Sequence, residues 1–146
     1  MEERNAHTSL ARFSAVSVLP RNERVLNLDW DLFPPLFSLR PDLIYATGID
    51  VNLTAFTDGE AARLLALPDA WEKNPAALPA DLSPWISALR ARLPGTYLIL
   101  ATWRYPLLLP KLRTLPSLQE VASEKDGLTI FRINPEPNPS PNPIPL

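Results

Sequence analysis

The chain has 146 residues, of which 46% are hydrophobic and 21% charged, the size and composition of one globular domain. It contains no cysteine and a single histidine, His7, which excludes disulfides, thiolate metal sites and a cysteine nucleophile. The net charge of −2 gives no general attraction to nucleic acid, and the four glycines are too scattered for a phosphate-binding loop.

Helix and strand patterns alternate through the first half of the chain. Apolar residues at helical spacing predict a helix over 9–19 that ends at Pro20. The pattern then predicts, in order, a strand over 24–29, a short helix over 30–40 capped by Asp31, a strand over 42–47 and a helix over 58–67 that Pro68 ends.

The second half begins with a proline-punctuated stretch, 68–82, that predicts irregular structure. The apolar segment 97–102 predicts a central strand that is covered on both faces. Around it, the pattern predicts a helix over 83–93, a short helix over 107–115, and two antiparallel strands over 118–123 and 128–133 that meet at an Asp-Gly turn.

This order of elements predicts an α/β fold. We expect a small Rossmann-like three-layer sandwich with a mostly parallel sheet and a C-terminal antiparallel hairpin. Residues 1–133 would form the single domain. Residues 134–146 contain six prolines, so they are expected to form an extended, polyproline-II-like tail.

Polar residues cluster where the predicted parallel strands end. Asp29 ends the first predicted strand and is followed by Trp30 and Asp31, Asp50 follows the second strand, and Arg104 follows the third. Because ligands bind beyond the carboxyl ends of such strands, these residues are candidates for a cation or sugar site. The structural alternative is that Asp31 caps a helix, Trp30 fills the core and Arg104 pairs with a carboxylate. No catalytic residue, metal ligand or cofactor is assigned.

Two segments, RVLNLDWDLFPPLF and DLIYATGIDVNLTAF, resemble the soluble C-terminal domain of polytopic bacterial membrane proteins of the glycosyltransferase-like type. In that family a strand ending in D-W-D-x-F-P precedes a strand ending in G-L-D-P. The matching residues here are Asp29, Trp30, Asp31, Phe33 and Pro34, followed by Gly48, Ile49 and Asp50. Val51 stands where the family has its proline.

The resemblance implies a non-catalytic, soluble accessory domain that binds a sugar-containing ligand or a partner subunit. Its partner would be a membrane-embedded glycosyltransferase-like protein, and its location would then be extracytoplasmic. The chain shows neither a secretory signal nor a membrane-length apolar segment, so we expect no direct membrane insertion.

Two other functions stay open. One is a small metal-assisted hydrolase or transferase that uses Asp29, Asp31 and Asp50. The other is a protein-interaction module whose exposed apolar surface is formed by Phe33, Leu36 and Phe37 or by residues 107–109.

Overall fold

The computed structural model describes residues 12–45, 59–92 and 95–135, which form one five-stranded sheet with helices packed against it. The strands are β1 (Arg24–Asn27), β2 (Ile44–Tyr45), β3 (Tyr97–Ala101), β4 (Leu118–Ser123) and β5 (Leu128–Ile133). The α-helices in these ranges are α1 (Phe33–Leu39), α2 (Gly59–Lys73), α3 (Ser83–Arg92) and α4 (Leu108–Leu112). Short 3₁₀ segments occupy Ser14–Val18, Trp30–Leu32, Pro75–Ala77 and Thr102–Arg104.

The sheet is mixed, with the strand order β2–β1–β3–β5–β4. β1 pairs in parallel with β2 and β3, whereas β5 is antiparallel to both β3 and β4. The expectation of a mostly parallel, Rossmann-like sandwich is therefore wrong. A tight turn joins β4 to β5, so the hairpin is antiparallel, and β5 then lies beside β3 in the opposite direction.

Burial explains why β5, and not β4, lies beside β3. Five of the six residues of β5 are buried, while β4 is exposed along most of its length. A strand that is apolar on both faces must be covered on both faces, so it takes an inner position. The polar strand β4 takes the edge, where its side chains meet water.

Apolar side chains cover both faces of the sheet. In β3, Leu98 and Leu100 face the core formed with α2, α3 and α4, whereas Ile99 and Ala101 face the core formed with α1 and the segment Ser14–Val18. This division follows from the two-residue period of a strand. The prediction that the third strand is central and covered on both faces is confirmed.

Helix α2 does not end at Pro68, as the sequence predicts, but continues to Lys73 with Pro68 inside it. A proline in a helix has no N–H to donate to the carbonyl four residues earlier, which here belongs to Leu64. The indole N–H of Trp85, on α3, donates to that carbonyl at 2.9 Å. A tertiary hydrogen bond thus satisfies the group that Pro68 leaves without its helical partner.

The N-terminal described segment is fixed by Arg40, which follows α1. Its guanidinium donates to the carbonyl oxygens of Val16, Leu19 and Pro20 and to both carboxylate oxygens of Asp42. The segment that the sequence predicts as a helix over 9–19 contains the 3₁₀ turn Ser14–Val18 in its described part. Arg40 thus ties the end of this short turn, and the residues that follow it, to the end of α1.

Several predicted features lie outside the described residues. They include Asp50, the tail from 136 onward, and His7. None of the helices in the described ranges combines the length and the apolar character that crossing a bilayer requires.

Candidate functional site

The candidate site lies where β1 and β3 end, at the carboxyl edge of the parallel part of the sheet. β1 and β3 are parallel neighbours in the sheet, and the helices that follow them, α1 and α4, pack on opposite faces. Helices that diverge in this way leave a crevice between the ends of the two neighbouring strands. The geometry of the sheet therefore opens a cleft next to Asp29 and Arg104.

Asp29 is buried at the base of this cleft, with 5% of its surface exposed. The parallel pairing of β1 and β3 continues past Asn27, because the N–H of Leu28 donates to the carbonyl of Ile99. Asp29 thereby comes level with Ala101, whose N–H donates to Asp29 Oδ2 at 3.0 Å.

The other carboxylate oxygen of Asp29 accepts two further hydrogen bonds. The Tyr105 hydroxyl donates to Oδ1 at 2.6 Å, and Arg104 Nη1 donates to the same atom at 3.0 Å. A buried carboxylate is tolerated when it is paired and fully hydrogen-bonded, and both conditions are met here. Asp29 is therefore a fixed anchor for Arg104 and Tyr105, in the segment that follows β3.

Arg104 bridges Asp29 to Asp31 at the mouth of the cleft. Its Nη1 donates to Asp31 Oδ1 at 2.7 Å, and its Nη2 donates to Asp31 Oδ2, in a bidentate pairing. The hydrogen bonds that Arg104 donates to Asp31 lower the pKa of the Asp31 carboxyl and raise the pKa of the Arg104 guanidinium. The pair stays ionised near neutral pH, and the side chains are 36% (Arg104) and 42% (Asp31) exposed, so a ligand can reach both.

Tyr105 forms part of the same wall, immediately after Arg104. Burial raises the pKa of its phenol, and the neighbouring Asp29 carboxylate raises it further. The hydroxyl therefore keeps its proton and acts as a hydrogen-bond donor to Asp29.

The cleft has a volume of about 420 Å³ and combines an apolar wall with a charged rim. The apolar part is formed by Leu28, Leu65, Ala66 and the ring of Tyr105, and the charged part by Asp29, Asp31, Asp69 and Arg104. Asp69 is paired with Lys73 at 2.8 Å, one turn further along α2. This size and mixture are typical of sites for small molecules.

An exposed tryptophan precedes Arg104 in the chain. Trp103 is 38% exposed, and the guanidinium of Arg12 lies over its ring at 4.4 Å. The guanidinium of Arg104 is 5.9 Å from the same ring. These contacts fix the indole beside the rim by cation–π attraction.

The structure brings together three of the five residues selected from the sequence, namely Asp29, Asp31 and Arg104. The side chain of Trp30 and the whole of Asp50 lie outside what the structure describes. Asp31 does not cap α1, which begins after Leu32 without a side-chain cap. The predicted pairing of Arg104 with a carboxylate is confirmed, and it takes up the oxygens that a cap would use.

Sequence reasoning missed two kinds of cleft residue. Tyr105 was not selected, although it directly follows Arg104 at the end of a predicted strand. Asp69 was missed because the helix that carries it was predicted to end at Pro68, and Leu65 was missed because an apolar residue inside a predicted helix gives no sign that it lines a cleft. In the described part of the chain, no group of three or more His, Cys, Asp or Glu residues is placed to hold a metal ion.

The predicted apolar interaction surfaces do not form as expected. Leu36, Leu108 and Leu109 are core residues with at most 4% of their surface exposed, while Phe37 and Leu107 are exposed. Phe33 is half-buried. Burial therefore removes these three leucines from any exposed apolar surface, whereas the rings of Phe33 and Phe37 stack with their centroids 5.5 Å apart.

Comparisons of the chain with protein-family models, curated proteins and solved structures gave no match, so none links it to the glycosyltransferase-like membrane proteins that its motifs resemble.

Proposed function

We propose that the chain is a non-catalytic binding domain that takes a sugar-containing ligand in the cleft between β1 and β3. The observation that carries this proposal is the half-exposed ion pair of Asp31 and Arg104, which the buried Asp29 holds at the mouth of the cleft. The pair presents acceptors and donors side by side in a fixed plane.

The chemistry of the cleft suits a sugar. Neighbouring hydroxyl groups of a sugar both donate and accept hydrogen bonds, so they can pair with the carboxylate of Asp31 and the guanidinium of Arg104 together. The apolar wall of Leu65, Ala66 and Tyr105 suits the C–H face of the same ring. Because Asp29 already fixes Arg104, little conformational freedom remains to be lost on binding.

The hydrogen bonding of Asp29 and the lowered pKa of Asp31 support a role in binding rather than in catalysis. Asp29 accepts three hydrogen bonds and is buried, so it is poorly placed to take a proton from a substrate. Asp31 has a lowered pKa, which makes its carboxylate a weak general base near neutral pH. The alternative of metal-assisted hydrolysis or transfer has less support, because Arg104 holds both carboxylates in a pairing that a metal ion would have to displace.

The proposal of a membrane-embedded partner protein is supported by the sequence. The D-W-D-x-F-P and G-I-D segments resemble those of extramembrane domains of glycosyltransferase-like membrane proteins. We therefore propose that the chain acts beside such a membrane-embedded protein and presents a sugar-containing ligand to it.

Ligand-detected NMR tests the sugar proposal. Saturation-transfer difference spectra would be recorded for the full chain with a panel of neutral hexoses, amino sugars and disaccharides. The matched variants are Asp31→Asn in the cleft and Glu120→Gln on β4, which breaks the comparably exposed pair of Arg113 and Glu120.

The proposal predicts a signal from at least one sugar, which Asp31→Asn removes and Glu120→Gln preserves. Absence of signal across the panel, or equal loss of signal in both variants, would contradict it. Circular dichroism of both variants would confirm that each is folded.

A further inference from the structure

A second cleft, of about 380 Å³, lies between α3 and the segments that flank the terminal hairpin. Helix α3 contributes Ile86 and Arg90, the turn before β4 contributes Pro116 and Ser117, and Asn134 follows β5. It shares no lining residue with the cleft between β1 and β3. What it binds is therefore a separate question from the proposed function.

Arg90 is the charged side chain among the described residues that line this second cleft. Arg40 and Arg90 are the half-buried arginines of the described residues. Arg40 makes five hydrogen bonds, whereas Arg90 makes no hydrogen bond or ion pair within the described part of the chain. A guanidinium that is partly removed from water without a partner is unfavourable, so an acceptor is expected to approach it.

A second unused donor lines the same cleft. Within the described residues, the hydroxyl oxygen of Ser117 is the buried side-chain polar atom that lacks a hydrogen-bond partner. The rest of the wall is partly apolar, with contributions from Ile86 and Pro116. A cation and a hydroxyl beside apolar surface match an oxyanion that is attached to a small apolar body.

We infer that this second cleft binds a small organic oxyanion, with Arg90 as its cationic contact and Ser117 as a hydroxyl donor. The planar guanidinium pairs with two oxygens of one group, a geometry that carboxylates and phosphate monoesters share. The ligand is thus an acid of either kind that carries a compact apolar group.

Two-dimensional ¹H–¹⁵N NMR titrations of the full chain test this inference and distinguish the two kinds of acid. The probes are benzoate, phenyl phosphate and, as the uncharged analogue, benzyl alcohol, all at constant ionic strength. We expect saturable shifts for at least one acid, concentrated at the amides near Arg90 and Ser117. Benzyl alcohol should bind about tenfold more weakly, as expected when a charge-assisted hydrogen bond is missing.

Matched variants locate the binding. Arg90→Gln should weaken binding of the acid by about tenfold. Arg92→Gln removes the same charge two residues along the helix, and it should change the affinity for the acid by less than about twofold. Ser117→Ala should weaken binding by about threefold, and it carries the test if Arg90→Gln does not fold. Shifts that do not saturate, equal effects of the two arginine variants, or equal binding of benzyl alcohol would overturn the inference.

Discussion

The hydroxyl of Tyr105 donates a hydrogen bond of 2.6 Å to the buried carboxylate of Asp29, although the two residues are 76 positions apart in the chain. The bond joins the end of β1 to the turn after β3. It orients Asp29, whose Oδ1 also accepts from Arg104, so the shape of the cleft depends on it.

We expect Tyr105→Phe to lower the free energy of unfolding by about 1.5–3 kcal/mol, because a buried hydrogen bond to a charged acceptor is lost. Urea denaturation measures this change. Tyr97→Phe on β3 is the control, since Tyr97 is half-buried and makes no hydrogen bond through its hydroxyl in the described residues; it should cost less than about 0.5 kcal/mol. Equal costs for the two variants would show that the Tyr105 hydroxyl does not stabilise the site.

The pairing of Trp85 with Leu64 predicts an energetic coupling between Trp85 and Pro68. In a Pro68→Ala background the residue at 68 regains an N–H, which can donate to the Leu64 carbonyl within the helix. The further substitution Trp85→Phe should then cost about 1 kcal/mol less than it does in the native sequence, since no buried carbonyl is left unpaired. Denaturant unfolding of all four proteins completes the double-mutant cycle, and strictly additive free energies would contradict the explanation.

The Asp31–Arg104 pair makes the free energy of unfolding depend on pH in the acidic range. Asp31 has a lower pKa in the folded chain than in the unfolded chain, so the unfolded state binds its proton first as the pH falls. The stabilisation is complete above the unfolded pKa, about 3.9 for Asp, and is lost as the pH falls through the lower folded pKa. The difference in unfolding free energy between the native chain and Asp31→Asn should therefore shrink on acidification, and a constant difference would contradict the pairing.

The raised pKa of Tyr45 predicts that the free energy of unfolding falls as the pH rises in the alkaline range. Burial raises the pKa of its phenol to about 12, and its hydroxyl donates to the carbonyl of Arg40 at 3.0 Å. The unfolded chain loses this proton first, near pH 10, so stability falls as the pH rises from there towards the folded pKa. Ultraviolet titration of tyrosinate should lose a component near pH 12 in Tyr45→Phe; an unchanged titration curve in that range would refute the assignment.

The local sequence pattern predicted where the strands lie in the chain better than it predicted their order and direction in the sheet. The apolar runs that form β3 and β5 identify both strands, because continuous burial requires continuous apolar sequence. The difference between the polar β4 and the apolar β5 also indicates which of them lies inside the sheet. That β5, and not another parallel strand, would lie beside β3 depends on the connections between elements, which periodicity does not encode.

The errors at Pro68 and Asp31 have the same physical origin. Proline usually ends a helix, and aspartate often caps one, so local rules favour both assignments. In the folded chain Trp85 and Arg104 supply partners from 21 and 73 positions away. Contacts of that range override local preference, and neither partner can be identified from the pattern around the residue concerned.

The position of a bound sugar can be measured by intermolecular nuclear Overhauser effects between the ligand and the methyl groups of the protein. If the cleft between β1 and β3 is the binding site, a sugar that gives a saturation-transfer signal will show effects to the methyl groups of Leu28, Leu65 and Ala66. Effects confined to other methyl groups, such as that of Ile86 in the second cleft, would contradict the assignment.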